Sequence, residues 1–150
     1  GAAFDIGPGA PNDAERLESG LLSYGADARL QTCPANPFEL GLGKLVDLDG
    51  PDDFIGKPAL LKIKAAGIKR RLCGFVIQGD PVPASEHRVS VMQNDIVVGS
   101  ISEMACSTRL EKNIGIGLIS NTIADDVDNL SVSLDSGLRS VTISGLPFIR

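Results

Sequence analysis

The chain has 150 residues, of which 43% are hydrophobic and 22% are charged, and it carries a formal net charge of −5. This size and composition are typical of one globular domain, or of one domain with a piece of another. The acidic balance argues against nucleic acid as the main partner, and no apolar run approaches the roughly 18 residues that a membrane span needs.

The opening stretch, GAAFDIGPGAPN, is rich in glycine and proline, so residues 1–11 cannot form a regular element. It also lacks an initiator methionine and reads like the middle of a protein. We therefore expect a fragment or a processed chain.

The first predicted helix begins after this stretch and spans residues 12–25. Asn12 or Asp13 can cap it, and Glu15 completes a capping-box pattern. Its apolar positions form one stripe. These positions are Ala14, Leu17, Leu21 and Leu22.

Two glycines interrupt this helix pattern. Gly25 is predicted to end the helix as its C′ residue. Gly20 then stands inside the helix, where a glycine costs about 1 kcal/mol relative to alanine. We expect another backbone or a ligand to approach Gly20 closely.

Two further elements are predicted before the strands begin. Residues 44–48 (KLVDL) form a predicted strand, after a turn or short helix that starts at Pro37. Residues 56–66 form a predicted amphipathic helix with Pro58 in its first turn. Its apolar anchors are Leu60, Leu61 and Ile63.

A basic run overlaps this second helix. Six cationic residues and no acidic residue lie between Lys57 and Arg71. One interpretation is a solvated face of the helix and the following strand. The other is a docking site for an anionic tail, such as a polyglutamyl chain or an acidic partner.

From Arg70 onward the sequence takes on the pattern of short strands separated by turn residues. At least six strands at this spacing predict a small antiparallel barrel or a sandwich, whereas residues 1–50 lack the pattern and read as the edge of another unit. The overall prediction is an α+β chain. The predicted strands are residues 71–78, 88–92, 95–101, 113–120, 130–134 and 138–143.

Two glycine-rich patches, GLGKL at 41–45 and GIGL at 115–118, do not match a nucleotide-binding motif. A P-loop needs G-x-x-x-x-G-K-[ST], and a dinucleotide fingerprint needs a helix after its glycines. Both patches are instead predicted to allow close backbone packing in a small barrel.

Three cysteines, Cys33, Cys73 and Cys106, are scattered along the chain without a C-x-x-C pair. This number and spacing predict a reducing compartment, and we expect the cytoplasm. Cys73 lies in the apolar run LCGFVI and is predicted as a small core residue. Because His87 is the single histidine, neither a zinc site nor a Ser-His-Asp triad is expected.

Four stretches resemble one protein family, the glycine cleavage T-proteins, which are folate-dependent aminomethyl- and methyltransferases. The likeness is to the C-terminal part of that family, and GPGAPN (7–12), ERLESGLLSYG (15–25) and LPFI place it nearest the dimethylsulfoniopropionate demethylase branch. The stretches are ERLESGLLSYGAD (15–27), NPFELGLGKLVDLDGPDDFIGKPAL (36–60), VGSISEMACSTRLEKNIGIGLI (98–119) and LPFI (146–149).

The resemblance implies a fold, a cofactor and a domain division. Family members bind tetrahydrofolate in a central hole among three domains and pass a one-carbon group to its N5 atom. Their C-terminal domain is a small β-barrel. Residues 1–50 would then be the end of the central folate-binding region, 51–69 a linker and helix, and 70–150 the barrel domain.

The resemblance also implies which residues border the folate. Arg16, Glu18 and Tyr24 match the family's helix motif. Many members have a folate-holding arginine where this chain has Asn12, and a tryptophan where it has Lys44; both departures fit the demethylase branch better.

Each of these residues also has a structural interpretation. Arg16 can pair with Asp13 or Glu15 on its own helix instead of a folate carboxylate. Glu18 can face water, and Tyr24 can be a partly buried anchor rather than a stacking platform.

A second family feature is a Ser-Pro-x-Leu turn. Ser107 and Leu110 match it, while Thr108 replaces the proline. Neither this turn nor the helix motif supplies a nucleophile or a metal ligand, and no catalytic residue is assigned to the chain.

The implied function is that of a C-terminal portion of a folate-dependent methyl- or aminomethyltransferase, inactive by itself because the family's N-terminal part supplies most of the folate pocket. The alternative is a stand-alone interaction module that binds a separate subunit carrying the missing domains. In that case the stripe of Leu17, Leu21 and Leu22 would be exposed and favour self-association. A purely structural barrel is the third hypothesis.

Overall fold

A computed structural model describes residues 12–28 and 32–149. The irregular segment predicted for residues 1–11 lies outside this range. Two α-helices, one 3₁₀ turn at Gly43–Leu45 and six strands are formed in the described residues. They are α1 (Asp13–Glu18), α2 (Lys57–Ala66), β1 (Arg70–Ile77), β2 (Val89–Gln93), β3 (Ile96–Ser107), β4 (Lys112–Ser120), β5 (Leu130–Leu134) and β6 (Gly137–Ser144).

The six strands close into one antiparallel barrel in the order β1-β4-β3-β2-β5-β6. Closure pairs every strand on both sides and leaves no open edge. The predicted α+β chain with a small barrel is therefore confirmed, and the sandwich alternative is wrong.

The interior of the barrel is filled by apolar side chains from every strand. Each strand turns alternate residues inward, which is the source of the period that the sequence shows. Cys73 belongs to this core, as predicted, and is 7% exposed. The most deeply buried members include Phe75, Val91, Ile101, Ile119 and Val132.

Glycines let β3 and β4 approach more closely than side chains would allow. A Cβ atom on Gly117 would lie 2.0 Å from the carbonyl oxygen of Ser100, and one on Gly115 would lie 2.7 Å from a methyl of Ile101. The predicted packing role of the GIGL patch is confirmed.

Helix α1 is shorter than predicted, because Gly20 rather than Gly25 ends it. Gly20 has a φ of +64°, a left-handed conformation that glycine adopts readily. Its N–H donates to Leu17 O, and the N–H of Leu21 donates to Arg16 O, which is the Schellman arrangement. The prediction of a mid-helix glycine is therefore wrong.

The close approach expected at Gly20 is nevertheless present. A Cβ atom there would lie 3.3 Å from the Cα of Pro147 and 3.4 Å from the Cβ of Leu146. The end of the chain thus packs against the end of α1.

Two further predictions need correction. Residues 44–48 are not a strand, since the 3₁₀ turn Gly43–Leu45 occupies their start. Leu17 is fully buried against the barrel, whereas Leu21 lies beyond the end of α1 and is 53% exposed, so the predicted apolar stripe does not form one exposed helix face.

Helix α2 forms within one residue of its predicted bounds, with Gly56 and Gly67 as caps, but none of its residues is buried. Neither helix in the described part of the chain is long and apolar enough to cross a bilayer.

Candidate functional site

The candidate site is built on α1 and the loop of residues 19–28 that follows it. Asn12 starts the helix through a capping box: its Oδ1 accepts from the N–H of Glu15 at 2.9 Å, and its N–H donates to Glu15 Oε2 at 2.9 Å. The Asn12 side chain is therefore used as a helix cap.

Arg16 projects from α1 onto β3. Its Nε donates to Glu103 Oε1 at 3.3 Å, and its Nη2 pairs with the other oxygen of the same carboxylate. Its Nη1 donates to Asp27 Oδ2 at 3.2 Å and to the carbonyl oxygen of Leu21. The local partners Asp13 and Glu15, proposed from the sequence, are not the ones it uses.

Both carboxylates of this cluster are buried. The Asp27 side chain is 1% exposed and the Glu103 side chain 3%, against 16% for Arg16. Asp27 also accepts from the N–H of Ser23 at 2.8 Å and from Ser102 Oγ at 2.6 Å. The cluster therefore fastens the loop to α1 through Arg16 and to β3 through Ser102.

The cluster holds one cation and two carboxyl groups. Burial works against the charge of Arg16, but the hydrogen bonds and charges of Glu103 and Asp27 outweigh it and raise the pKa of the guanidinium. Burial also raises the pKa of Glu103 above its usual value, although Arg16 acts in the opposite direction.

Glu18 is likewise engaged within the fold, at 4% exposure. Its Oε1 accepts from Ser107 Oγ at 2.6 Å, and Ser107 Oγ accepts in turn from the N–H of Leu110 at 3.0 Å. The carbonyl oxygen of Glu18 accepts from the N–H groups of Phe148 and Ile149 at 3.0 and 3.2 Å. The Ser-x-x-Leu turn therefore anchors the helix motif.

Tyr24 is placed differently, because its side chain faces solvent and is 83% exposed. The turn beneath it is fixed by backbone hydrogen bonds from Gly25 N to Ala28 O at 2.8 Å and from Asp27 N to Ser23 O at 3.0 Å. An ordered turn thus presents an uncovered aromatic ring, which excludes the buried-anchor interpretation in the described residues.

An uncharged groove of about 360 Å³ borders the same loop. Ser19, Gly20 and Leu22 form its loop side, and the remaining lining is mostly leucine and proline. That lining comes from Leu40, Gly41, Leu42, Leu72, Leu146 and Pro147.

The four predicted site residues therefore separate into two pairs. Arg16 and Glu18 point into the contact with the barrel, whereas Asn12 and Tyr24 lie on the surface. The sequence reasoning missed Glu103, although an acidic residue inside the otherwise uncharged run VGSISEMACS is a signal that a buried charge needs a partner.

Five large apolar side chains stay exposed between residues 42 and 61, and Leu45 and Phe54 among them line one groove. This set, Leu42, Leu45, Phe54, Ile55 and Leu61, is called the uncovered apolar face. Their exposures are 36%, 80%, 38%, 104% and 44% respectively. Side chains of this size are costly to leave in water.

The basic run has a mixed environment. Lys57 Nζ donates to the carbonyl oxygens of Gly50 and Asp52, both at 2.8 Å. Arg70 forms a two-bond pair with Glu39 at 3.0 and 3.1 Å, and Arg71 pairs with Asp125 at 2.5 Å. At least half of its six cations thus serve the fold.

Comparisons with known proteins agree with this architecture. A family profile described as the glycine cleavage T-protein C-terminal barrel domain matches residues 70–149. The crystal structure of the glycine cleavage system aminomethyltransferase T from Bartonella henselae superimposes with a TM-score of 0.74 over 91% of this chain and 37% of that chain, at 21% identity. That likeness shows the fold.

Two curated relatives match nearly the whole chain. The dimethylsulfoniopropionate demethylase DmdA of Ruegeria pomeroyi is 33% identical over 143 residues, 95% of this chain and 38% of the relative. An aminomethyltransferase of a Synechococcus strain is 35% identical over 138 residues, 92% of this chain and 36% of the relative. The chain thus spans less than two fifths of the length of these relatives.

Proposed function

The chain belongs to the glycine cleavage T-protein family through its C-terminal barrel domain, and from this premise we propose that it is the C-terminal portion of a tetrahydrofolate-dependent one-carbon transferase. The observation that carries the proposal is the extent of the likeness. It covers 92% and 95% of the chain in the two relatives, and so includes the loop of residues 19–28 as well as the barrel.

In this proposal Tyr24 is the residue that faces the folate. An exposed ring on a hydrogen-bonded turn offers a flat apolar surface to an aromatic ligand, and the neighbouring groove is uncharged. Tetrahydrofolate supplies the N5 atom that accepts the one-carbon unit. Arg16 and Glu18 hold the loop in place through their contacts with the barrel, and Asn12 caps the helix that carries them.

We further propose a methyl donor of the sulfonium type, with an aminomethyl donor as the alternative. The two relatives stand at 33% and 35% identity and do not separate these donors. Asn12 and Lys44 stand where many aminomethyltransferases have an arginine and a tryptophan, which favours the methyl donor.

The uncovered apolar face is proposed to pack against the remaining domains of the enzyme. Ile55 and Leu45 are fully or largely exposed in the described chain, and a surface of this kind is normally covered by a partner. The alternative function, a stand-alone module that binds a separate subunit, would use the same face.

Calorimetric titration with tetrahydrofolate tests the proposed folate wall. We expect weak binding to the chain, weakened further by Tyr24→Ala and retained by Tyr24→Phe, with Leu138→Ala as the control at another exposed position. If Tyr24→Ala bound tetrahydrofolate as well as the unchanged chain does, Tyr24 would not be part of the folate site. Demethylation or aminomethyl transfer by the chain alone would contradict the proposal that the site is incomplete.

A further inference from the structure

A separate cavity of about 350 Å³ opens at the barrel, between the segment of residues 81–87 and the β5–β6 turn. None of its lining residues belongs to α1 or to the loop of residues 19–28. Its volume lies within the range of small-molecule sites, roughly 300–1,000 Å³.

The floor of the cavity is the apolar core itself. Val82 and Met104 line it and are only 5% and 4% exposed. Val89 and Leu134 also line it and pack against the same core cluster. An apolar ligand would therefore contact side chains that are already fixed by packing.

The wall formed by residues 81–87 is held in place by specific hydrogen bonds. Asn113, 4% exposed, accepts from the N–H of Val82 at 2.9 Å and donates its amide to the carbonyl oxygen of Asp80 at 3.0 Å. Ser85 and Met104 exchange two backbone hydrogen bonds of 2.9 and 3.0 Å. The cavity is thus preformed, which lowers the entropic cost of binding.

The rim carries a guanidinium that forms no ion pair with a carboxylate of the described residues. Arg139 donates from Nε to Ser136 Oγ at 3.2 Å and from Nη1 to the carbonyl oxygens of Asp80 and Gln78 at 2.5 and 3.4 Å. All three acceptors are neutral. Arg16, Arg70 and Arg71 each pair with a carboxylate within 4.0 Å, whereas Arg139 has no such pair among residues 12–28 and 32–149.

The remaining donors of Arg139 are available. Its Nη2 makes no hydrogen bond to the described residues, while Nε and Nη1 hold the group in position. Held in this way, Nη2 can donate a charge-assisted hydrogen bond to a carboxylate. Asp135 also lines the rim, which disfavours ligands with more than one negative charge.

We propose that this cavity binds a small aromatic or aliphatic monocarboxylate, with its apolar body over Val82 and Met104 and its carboxylate on Arg139. This site is distinct from the proposed folate wall and does not depend on it. No residue of the chain is asked to react; the site is one for binding.

Naphthoate is a suitable probe, because the chain has no tryptophan and only one tyrosine to interfere with its fluorescence. We expect saturable binding to the intact chain that weakens about tenfold in Arg139→Gln, since a charge-assisted hydrogen bond is lost. Arg109→Gln, which makes the same charge change at an exposed position, is expected to bind as the unchanged chain does. Uncharged naphthalenemethanol and cationic naphthylmethylamine should bind more weakly than naphthoate.

A second measurement locates the probe. The chain has two methionines, so methyl-labelled methionine gives two NMR signals. Naphthoate should shift the signal of Met104, which lines the cavity, and leave that of Met92 in place as the internal control. Ser133→Phe, which fills the mouth from an exposed position, should abolish the shift. The proposal would be overturned if naphthoate did not bind saturably, or if Arg139→Gln and Arg109→Gln had equal effects on its binding. It would also be overturned if the cationic probe bound more tightly than naphthoate, or if the Met104 signal did not move.

Discussion

Arg16 and Glu103 stand 87 positions apart in the sequence and form a two-bond ion pair between α1 and β3. The Glu103 side chain is 3% exposed, and Asp27 shares the same guanidinium from the loop. The N-terminal segment is therefore joined to the barrel by buried charge as well as by apolar packing.

Removing the cation should be costly, because it leaves the buried carboxyl groups of Glu103 and Asp27 without a charged partner. Arg16→Met is expected to lower the free energy of unfolding by about 3 kcal/mol, measured by urea denaturation. Lys64→Met is the control, since its pair with Asp49 is long, at 3.6 Å, and exposed, and its loss should leave stability unchanged.

A double variant refines this measurement. Arg16→Met/Glu103→Leu removes one buried carboxyl group together with its partner and is expected to be more stable than Arg16→Met alone. A double variant less stable than the single one would show that the cost comes from lost packing rather than from stranded charge.

The stability contribution of Glu103 should depend on pH. Its pKa is raised in the folded chain, so the folded chain keeps this proton to a higher pH than the unfolded chain, whose pKa is near 4.5. The contribution is therefore fully present below about pH 4.5 and is lost as the pH rises through the folded pKa.

Unfolding of the unchanged chain and of Glu103→Gln, compared from about pH 4 to pH 7, measures this effect. The free energy of unfolding of the unchanged chain minus that of the variant should fall as the pH rises. A difference that grows over this range would mean that Arg16 lowers the pKa of Glu103 by more than burial raises it.

Cys73 should resist alkylation. Burial raises the pKa of its thiol to about 12, so at pH 8 only about one molecule in 10⁴ carries the thiolate. Iodoacetamide followed by peptide mapping should label half-buried Cys106 well before Cys73 in the native chain. Equal labelling of the two cysteines under native conditions, as is expected after denaturation, would contradict this assignment.

Gly117 should not tolerate a methyl group. Its Cβ atom would lie 2.0 Å from the carbonyl oxygen of Ser100 and 2.8 Å from the Cα of Ile101, so β3 and β4 would have to separate. Gly117→Ala is expected to cost about 3 kcal/mol or more in thermal or urea unfolding. Gly145→Ala, with no atom within 4 Å of the new methyl, is the matched control and should leave stability unchanged.

The uncovered apolar face should promote association of the isolated chain. Ile55→Asp is expected to reduce self-association in sedimentation velocity at high protein concentration, because it replaces the most exposed apolar side chain of that set by a charged one. Leu138→Asp makes the same change at an exposed position in the β5–β6 hairpin and should have no effect. If both substitutions acted alike, solubility rather than a defined face would be responsible.

The barrel was predictable because its signals are local. Alternation of apolar residues and turns such as Asp135-Ser136-Gly137 fix where strands begin and end, and five of the six strands agree with the sequence within about two residues at each end. Strand β3 continues to Ser107, beyond its predicted end at residue 101. The additional residues pair with β4 after a register shift between Ile101 and Glu103, and the local sequence pattern does not show this long-range pairing.

The end of α1 was not predictable from local signals. Both Gly20 and Gly25 can end a helix, and both have a positive φ. The helix ends at Gly20, the earlier of the two glycines, and Gly20 packs against Leu146 and Pro147. These two residues are distant in the sequence, so local signals do not reveal the contact. The partners of Arg16 are hidden for the same reason, since spacing along a helix points only to its neighbours.

The six residues of α1 are too few to form a stable helix alone, because helices shorter than about 12 residues are marginal in water. Their contacts come from Glu103 and, through the carbonyl oxygen of Glu18, from the N–H of Phe148. During synthesis these partners leave the ribosome long after α1 does. The segment that carries Tyr24 is therefore expected to stay unformed, and open to chaperones and proteases, until Phe148 has emerged.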